Sequence, residues 1–409
     1  MKLCIYAENY QRGGIDTFLT SLLNAWPVEN DEITIFLNSE NPFVFELTKR
    51  VNRPIRIITY ENRMTRQTNQ LVNLFSVPRS RFIRLVMNQS LECINIILFP
   101  MLVLSTYYKL KRVSIEALLV VNGGYPGGIN CRAASVAGRL LLGKNGVVFS
   151  FHNYAVKSKL SRRILEAPID FLVSRSAKTF ISVSKSCLNS LNSRFFLRSC
   201  RGRKVVFNGI KDPGIPKIKG ESSNKQDNQI YCVVIGTFEP RKGHDFLLDA
   251  FKYVLNSKPN VILYILGTGS VQDKERIVNR ISSLGIGDNV ILPGYVEEIN
   301  ELIRSSSAVL VPSQSYESFG ITIIEAMAMG VPVVATDVGG IPEVLGSNIG
   351  GIICPRNDIK AFGLAIIKFL ENREFADKVG GEGRLRFEQK FTSHEMALHY
   401  RDALKMDLN

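Results

Sequence analysis

The chain has 409 residues, 45% of them hydrophobic and 22% charged. That balance excludes a disordered chain, and the length exceeds what one hydrophobic core usually supports. With 51 Lys and Arg against 37 Asp and Glu, the net charge of +14 points to an anionic partner: nucleic acid, a membrane surface or a phosphorylated ligand.

The elements fall in two series. The first opens on a strand at residues 3–7, which turns polar at Glu8, too soon for a signal peptide. Gly13 and Gly14 follow, then a helix over 16–23 and strands at 32–37 and 55–60. Residues 94–108 form the longest apolar run, interrupted by Pro100 and shorter than the roughly 18–20 residues of a membrane-spanning helix. Arg79, Arg81 and Arg84 precede this run, and Lys109, Lys111 and Arg112 follow it. It reads either as a helix lying in a membrane interface or as a buried helix of the first domain. Strands at 117–122, 147–152 and 179–183 complete the series.

Residues 211–229, rich in Pro, Gly, Ser and charge, read as a linker. The charge divides there too. Residues 1–216 hold 30 Lys and Arg against 13 Asp and Glu, a net of +17, and residues 217–409 hold 21 against 24, a net of −3. Strands then resume at 230–235, 261–266, 290–292, 308–311 and 333–335. Continuous apolar runs of this kind, separated by helical patterns, predict parallel strands buried on both faces in doubly wound α/β domains. The expected division is 1–212, 213–386 and a helical tail, 387–409, able to cross back onto the first domain.

Several short motifs fail. Gly138 to Asn145 nearly spells a P-loop but lacks its Ser or Thr. His394 and His399 are five apart, on different faces of a helix. The seven Cys contain no closely spaced pair, which argues against a disulfide framework or zinc site and for a reducing compartment. No Asp-x-Asp pair is present to hold a divalent ion.

One stretch is informative. After the strand at 308–311, Pro312 opens a loop that carries Glu317 and Gly320, and a helix begins near Ile321 with Glu325 one turn in. A helix N-terminus at the carboxyl end of a parallel strand is an anion site. The loop Glu, the helix Glu eight positions on, and Pro332-Val333-Val334 resemble the signature of retaining glycosyltransferases of family 4. That resemblance implies the GT-B fold, two Rossmann-like, doubly wound parallel-sheet domains facing across a cleft, with the second domain binding the donor.

It further implies that Glu317 contacts the donor sugar and Glu325 the nucleotide ribose. Residues 235–243 resemble the donor-diphosphate loop, with Lys242 in its usual place but Thr237 where the family has Arg; the alternatives are that Arg241 compensates or that Thr237 hydrogen-bonds instead. Gly267 resembles a nucleoside-cradling strand end, and Gly320, Ile321 and Thr322 the anion-binding helix start. In the first half, Gly13 and Gly14 match where backbone amides approach the diphosphate, His152 where a His lies near the reacting sugar, and Ser184 and Asn208 the family's Ser and Asn-Gly places.

The reading is therefore a sugar transfer from a nucleotide diphosphate donor to an acceptor hydroxyl, with retention and with no metal or cofactor. Similar enzymes of bacterial polysaccharide assembly imply an anionic lipid-linked acceptor. The basic half then implies peripheral contact with the inner face of the cytoplasmic membrane. The alternatives are a sugar-nucleotide epimerase or another enzyme of the same fold, and a non-catalytic binder of membranes or nucleic acid. No nucleic-acid-binding module accompanies the charge.

Overall fold

The computed structural model describes residues 1–10, 13–61, 96–143, 145–158, 162–200, 202–214, 229–346 and 349–405. The basic cluster at Arg79, Arg81 and Arg84 and most of the 211–229 stretch lie outside them. The chain divides into two compact units, Met1–Phe207 with Met396–Asn409, and Asn208–Glu395.

The first unit is built on seven strands: β1 Lys2–Ala7, β2 Glu32–Asn38, β3 Arg56–Tyr60, β4 Ala117–Asn122, β5 Val147–Phe151, β6 Thr179–Ser182 and β7 Arg203–Val205. They pair in parallel in the order β3-β2-β1-β4-β5-β6-β7. Alternation along each strand divides the core in two. Cys4, Tyr6, Leu118, Val120 and Phe149 face one side, under helices Phe99–Lys111, Ile129–Leu142 and Arg163–Ser176. Leu3, Ile5, Ala7, Leu119 and Val148 face the other, under helix Gly14–Asn24 and the last helix, Ser393–Leu404, whose Met396, Ala397, Tyr400 and Leu404 are buried there.

The 94–108 run answers to neither expectation alone. Its described part is a helix, Phe99–Lys111, that buries Phe99, Val103, Thr106 and Leu110 against the sheet. The opposite side of the same helix leaves Met101, Leu104 and Tyr108 exposed. Among the described residues no helix is long and apolar enough to cross a membrane.

The second unit holds six strands: β8 Tyr231–Ile235, β9 Ile262–Leu266, β10 Val290–Gly294, β11 Ala308–Val311, β12 Val333–Thr336 and β13 Gly351–Cys354. They too pair in parallel, in the order β10-β9-β8-β11-β12-β13. β8 and β11 are neighbours, and strand order reverses between them. In open α/β sheets ligands bind at the carboxyl ends of strands at such a switch point. The functional question therefore falls on the loops after Ile235 and Val311.

Candidate functional site

The loop after β8 is shaped by close backbone approaches. Gly267, just past β9, has φ +142°, and a Cβ there would lie 1.9 Å from the Gly236 carbonyl oxygen. Gly243 ends the loop with φ +76°, and a Cβ there would lie 2.0 Å from the Pro312 carbonyl oxygen. Only glycine lets the β8 loop press against the β11 loop. Gly243→Ala is expected to destabilise the protein by at least about 1–3 kcal/mol, read as an earlier urea midpoint. An unchanged midpoint would contradict this packing.

That approach brings together side chains 75 positions apart. Lys242 Nζ donates to Glu317 Oε2 at 2.6 Å. Ser313 Oγ donates to the same oxygen at 3.3 Å, and Arg241 Nη1 lies 3.9 Å from it. Glu317 is only 6% exposed, so its charge is held by these cations. Arg241 also donates from Nε to Glu239 Oε2 at 2.7 Å and lies over the Tyr316 ring. Thr237 Oγ1 donates to Glu239 Oε1 at 2.9 Å. Burial works against the Glu239 carboxylate, yet Arg241 and Thr237 hold it below its usual range.

Gly320, at φ +94°, precedes helix Ile321–Ala328. Thr322 Oγ1 reaches back to the Ile235 carbonyl oxygen at 3.5 Å, at the outer limit of a hydrogen bond. One turn into the helix stands Glu325. Among the described residues no hydrogen bond or ion pair reaches its carboxylate, and desolvation pushes it up to about 7. A cationic pair, a helix N-terminus and an unpartnered carboxylate thus line the carboxyl ends of β8 and β11. Chemically, that arrangement can bind an anion and a hydroxyl donor side by side.

The other expected residues are placed as follows. In the first unit Gly13 is extended, at φ 171°, with open space where a Cβ would sit, and Gly14 begins helix Gly14–Asn24. The Gly13 N–H donates to Asp16 Oδ2 at 2.9 Å, a local cap. Ser184 likewise caps a helix, accepting from the Cys187 N–H at 3.0 Å. His152 directly follows β5. Its Nε2 lies 3.1 Å from Ser150 Oγ, which lies 2.6 Å from the Tyr400 hydroxyl. Phe18 packs on the imidazole at 4.1 Å, and desolvation drops its pKa to about 3, so the ring is neutral. Asn208 belongs to the second unit, with its Oδ1 buried and without a hydrogen-bond partner among the described residues.

Some side chains of these neighbourhoods escaped sequence reasoning. Glu239 and Ser313 join the Lys242–Glu317 cluster, and Ser150 and Tyr400 join His152. Glu8, directly after β1, is 8% exposed and accepts from the Tyr10 hydroxyl at 2.6 Å and the Asn130 N–H at 3.1 Å. A carboxylate directly after a buried strand was its one available signal.

Residues 217–386 match the family model described as "Glycosyl transferases group 1". Over 178 residues the chain is 34% identical to D-inositol 3-phosphate glycosyltransferase of Segniliparus rotundus, covering 42% of this chain and 39% of that protein. Over 237 residues it is 33% identical to N-acetyl-alpha-D-glucosaminyl L-malate synthase of Bacillus anthracis, covering 56% and 60% of the two. These matches span 39% and 60% of the relatives' lengths, less than two thirds of either. Among solved structures, a glycosyltransferase from Rickettsia africae superposes with a TM-score of 0.72 at 17% identity, covering 99% of both chains. Anabaena Alr3699/HepE in complex with UDP and glucose superposes at 0.70 with 16% identity and the same coverage. The chain has the GT-B fold, two parallel-sheet α/β domains, and residues 217–386 form a glycosyl transferases group 1 domain.

Proposed function

We propose that the protein transfers a sugar from a nucleotide diphosphate donor to an acceptor hydroxyl, with retained anomeric configuration. The observation that carries this reading is the Lys242–Glu317 pair at 2.6 Å, with unpartnered Glu325 one turn into the adjacent helix. Lys242, Arg241 and the helix start at Gly320, Ile321 and Thr322 hold the leaving diphosphate. Their fixed charge and dipoles stabilise the negative charge that develops as the glycosidic bond breaks. Glu317 orients the donor sugar hydroxyls, and Glu325 accepts from the ribose diol. Gly267 and Thr237 line the nucleotide.

Further support comes from the relatives. One is named a lipopolysaccharide core biosynthesis mannosyltransferase, from Rhizobium meliloti, and another a phosphatidyl-myo-inositol mannosyltransferase, from Mycobacterium leprae. Together with the +17 of residues 1–216, they favour an anionic, lipid-linked glycan acceptor met at the inner face of the cytoplasmic membrane. The test is incubation with labelled UDP-, GDP- and ADP-sugars and membrane lipid extract, with and without chelator. Label should pass into the lipid fraction with retention, and the rate should survive chelation. Transfer abolished by chelation would overturn the metal-independent reading. Conversion of the donor sugar to its epimer without acceptor would overturn transfer itself.

A further inference from the structure

The first unit carries a surface helix that packs Ile169 and Val173 on the core yet leaves other apolar side chains in solvent. Arg163–Ser176 buries its two carboxylates, Glu166 and Asp170. Both meet Arg194, itself 2% exposed, which lies 3.2 Å from Asp170 Oδ2 and contacts Glu166 directly. Ser158 Oγ donates to Glu166 at 2.7 Å, and the Tyr125 hydroxyl donates to Asp170. The solvent side is apolar instead: Ile164 is 84% exposed, Leu172 44% and Phe171 38%. A surface helix ordinarily has the opposite polarity.

Its neighbours continue the pattern. Helices Phe99–Lys111, Ile129–Leu142 and Arg163–Ser176 lie side by side over one face of the sheet. The first exposes Met101, Leu104 and Tyr108, and the middle one Leu140. Across all three there is no exposed carboxylate, because the first two contain none and the third buries both. Cations edge the layer instead: Lys111 and Arg112 at the end of the first helix, Arg163 and Arg175 at the two ends of the third. Arg175 lies over the Phe171 ring at 4.5 Å.

We propose that this three-helix layer seats the protein on an anionic bilayer surface. The exposed Leu, Met and Phe side chains enter the headgroup–acyl boundary while Arg and Lys meet lipid phosphates. The charge selects this occupant. A second copy would bring an identical, acid-free cationic rim against this one across a two-fold axis. The inference rests on the membrane-acceptor part of the proposed function, and it names the surface that part requires.

The test is co-sedimentation of the full chain with vesicles of phosphatidylcholine alone or mixed with phosphatidylglycerol. Binding should require phosphatidylglycerol and fall steeply with salt. The pairs Met101→Ser with Leu104→Ser, and Phe171→Ser with Leu172→Ser, should each weaken it at least tenfold. Both should keep the wild-type circular dichroism and affinity for a UDP-sugar, which separates lost docking from lost folding. No binding to either vesicle would overturn the proposal. So would binding unaffected by both pairs, or a dimer in sedimentation velocity that the pairs dissociate. Vesicle binding by a protein that transfers no sugar would leave this surface standing and remove the transferase reading.

Discussion

Replacing Lys242 with alanine is expected to lower kcat/KM for sugar transfer about 100- to 1,000-fold, the loss typical when one donor is withdrawn from developing negative charge. Two effects of the substitution must be separated. Lys242 is both the proposed diphosphate cation and the closest partner of Glu317, at 2.6 Å. Its removal leaves a buried carboxylate with Ser313 and a more distant Arg241, at 3.3 and 3.9 Å. The double variant Lys242→Ala with Glu317→Gln distinguishes the roles, since glutamine carries no charge to strand. If Lys242 acts on the diphosphate, the double variant stays as slow as Lys242→Ala or slower, and its affinity for a free nucleoside diphosphate falls as well. Recovery of activity in the double variant, or a single-variant loss below tenfold, would confine Lys242 to neutralising Glu317.

The same pair shows why so much of this half was legible. β8 and β11 are uninterrupted apolar runs, and the loops after them carry Gly, Pro and charge, so both the strands and their functional ends stand out. What one-dimensional reasoning lacked was the close approach of Gly243 to Pro312, a contact between loops whose energetic logic is steric. Nothing in the local spacing of Glu239 distinguishes it from a solvated loop acid, although its partners Thr237 and Arg241 stand in the recognisable loop.

Two strands went unread. β7, Arg203-Lys204-Val205, is a short, charged edge strand, and Arg and Lys there do what edge strands need, which is to discourage further pairing. β13 spans four residues and opens on a glycine, so its apolar run is too short to separate from a turn. Glu166 and Asp170 show the limit of local pattern: two acids on a helix ordinarily mark a solvent face, and only the tertiary partner Arg194 reverses that here.

Glu325 yields the second large effect, in pH dependence. Its carboxyl rises to about 7 from an ordinary 4.5 because burial disfavours the charge and no partner among the described residues restores it. Between these values the folded protein keeps a proton that the unfolded chain has released. Stability contributed by this group is therefore full below about pH 4.5, falls as pH rises toward 7 and stays low above it. Glu325→Gln removes that fall, so the variant should match wild type near pH 4 and exceed it in thermal stability near pH 8. Donor binding should run the opposite way. A ribose diol donates to the ionised carboxylate, so a UDP-sugar, whose bridging phosphates do not titrate near neutrality, should bind more tightly as pH rises. The gain should approach tenfold per pH unit below 7 and vanish above it. Calorimetry in buffers of different ionisation enthalpy should count a proton released on binding near pH 6. Glu325→Gln should bind weakly and without pH dependence. A wild-type affinity that is flat from pH 5.5 to 8, with no proton released, would remove Glu325 from the nucleotide site, whereas a slope that persists in Glu325→Gln would assign the titration to another group.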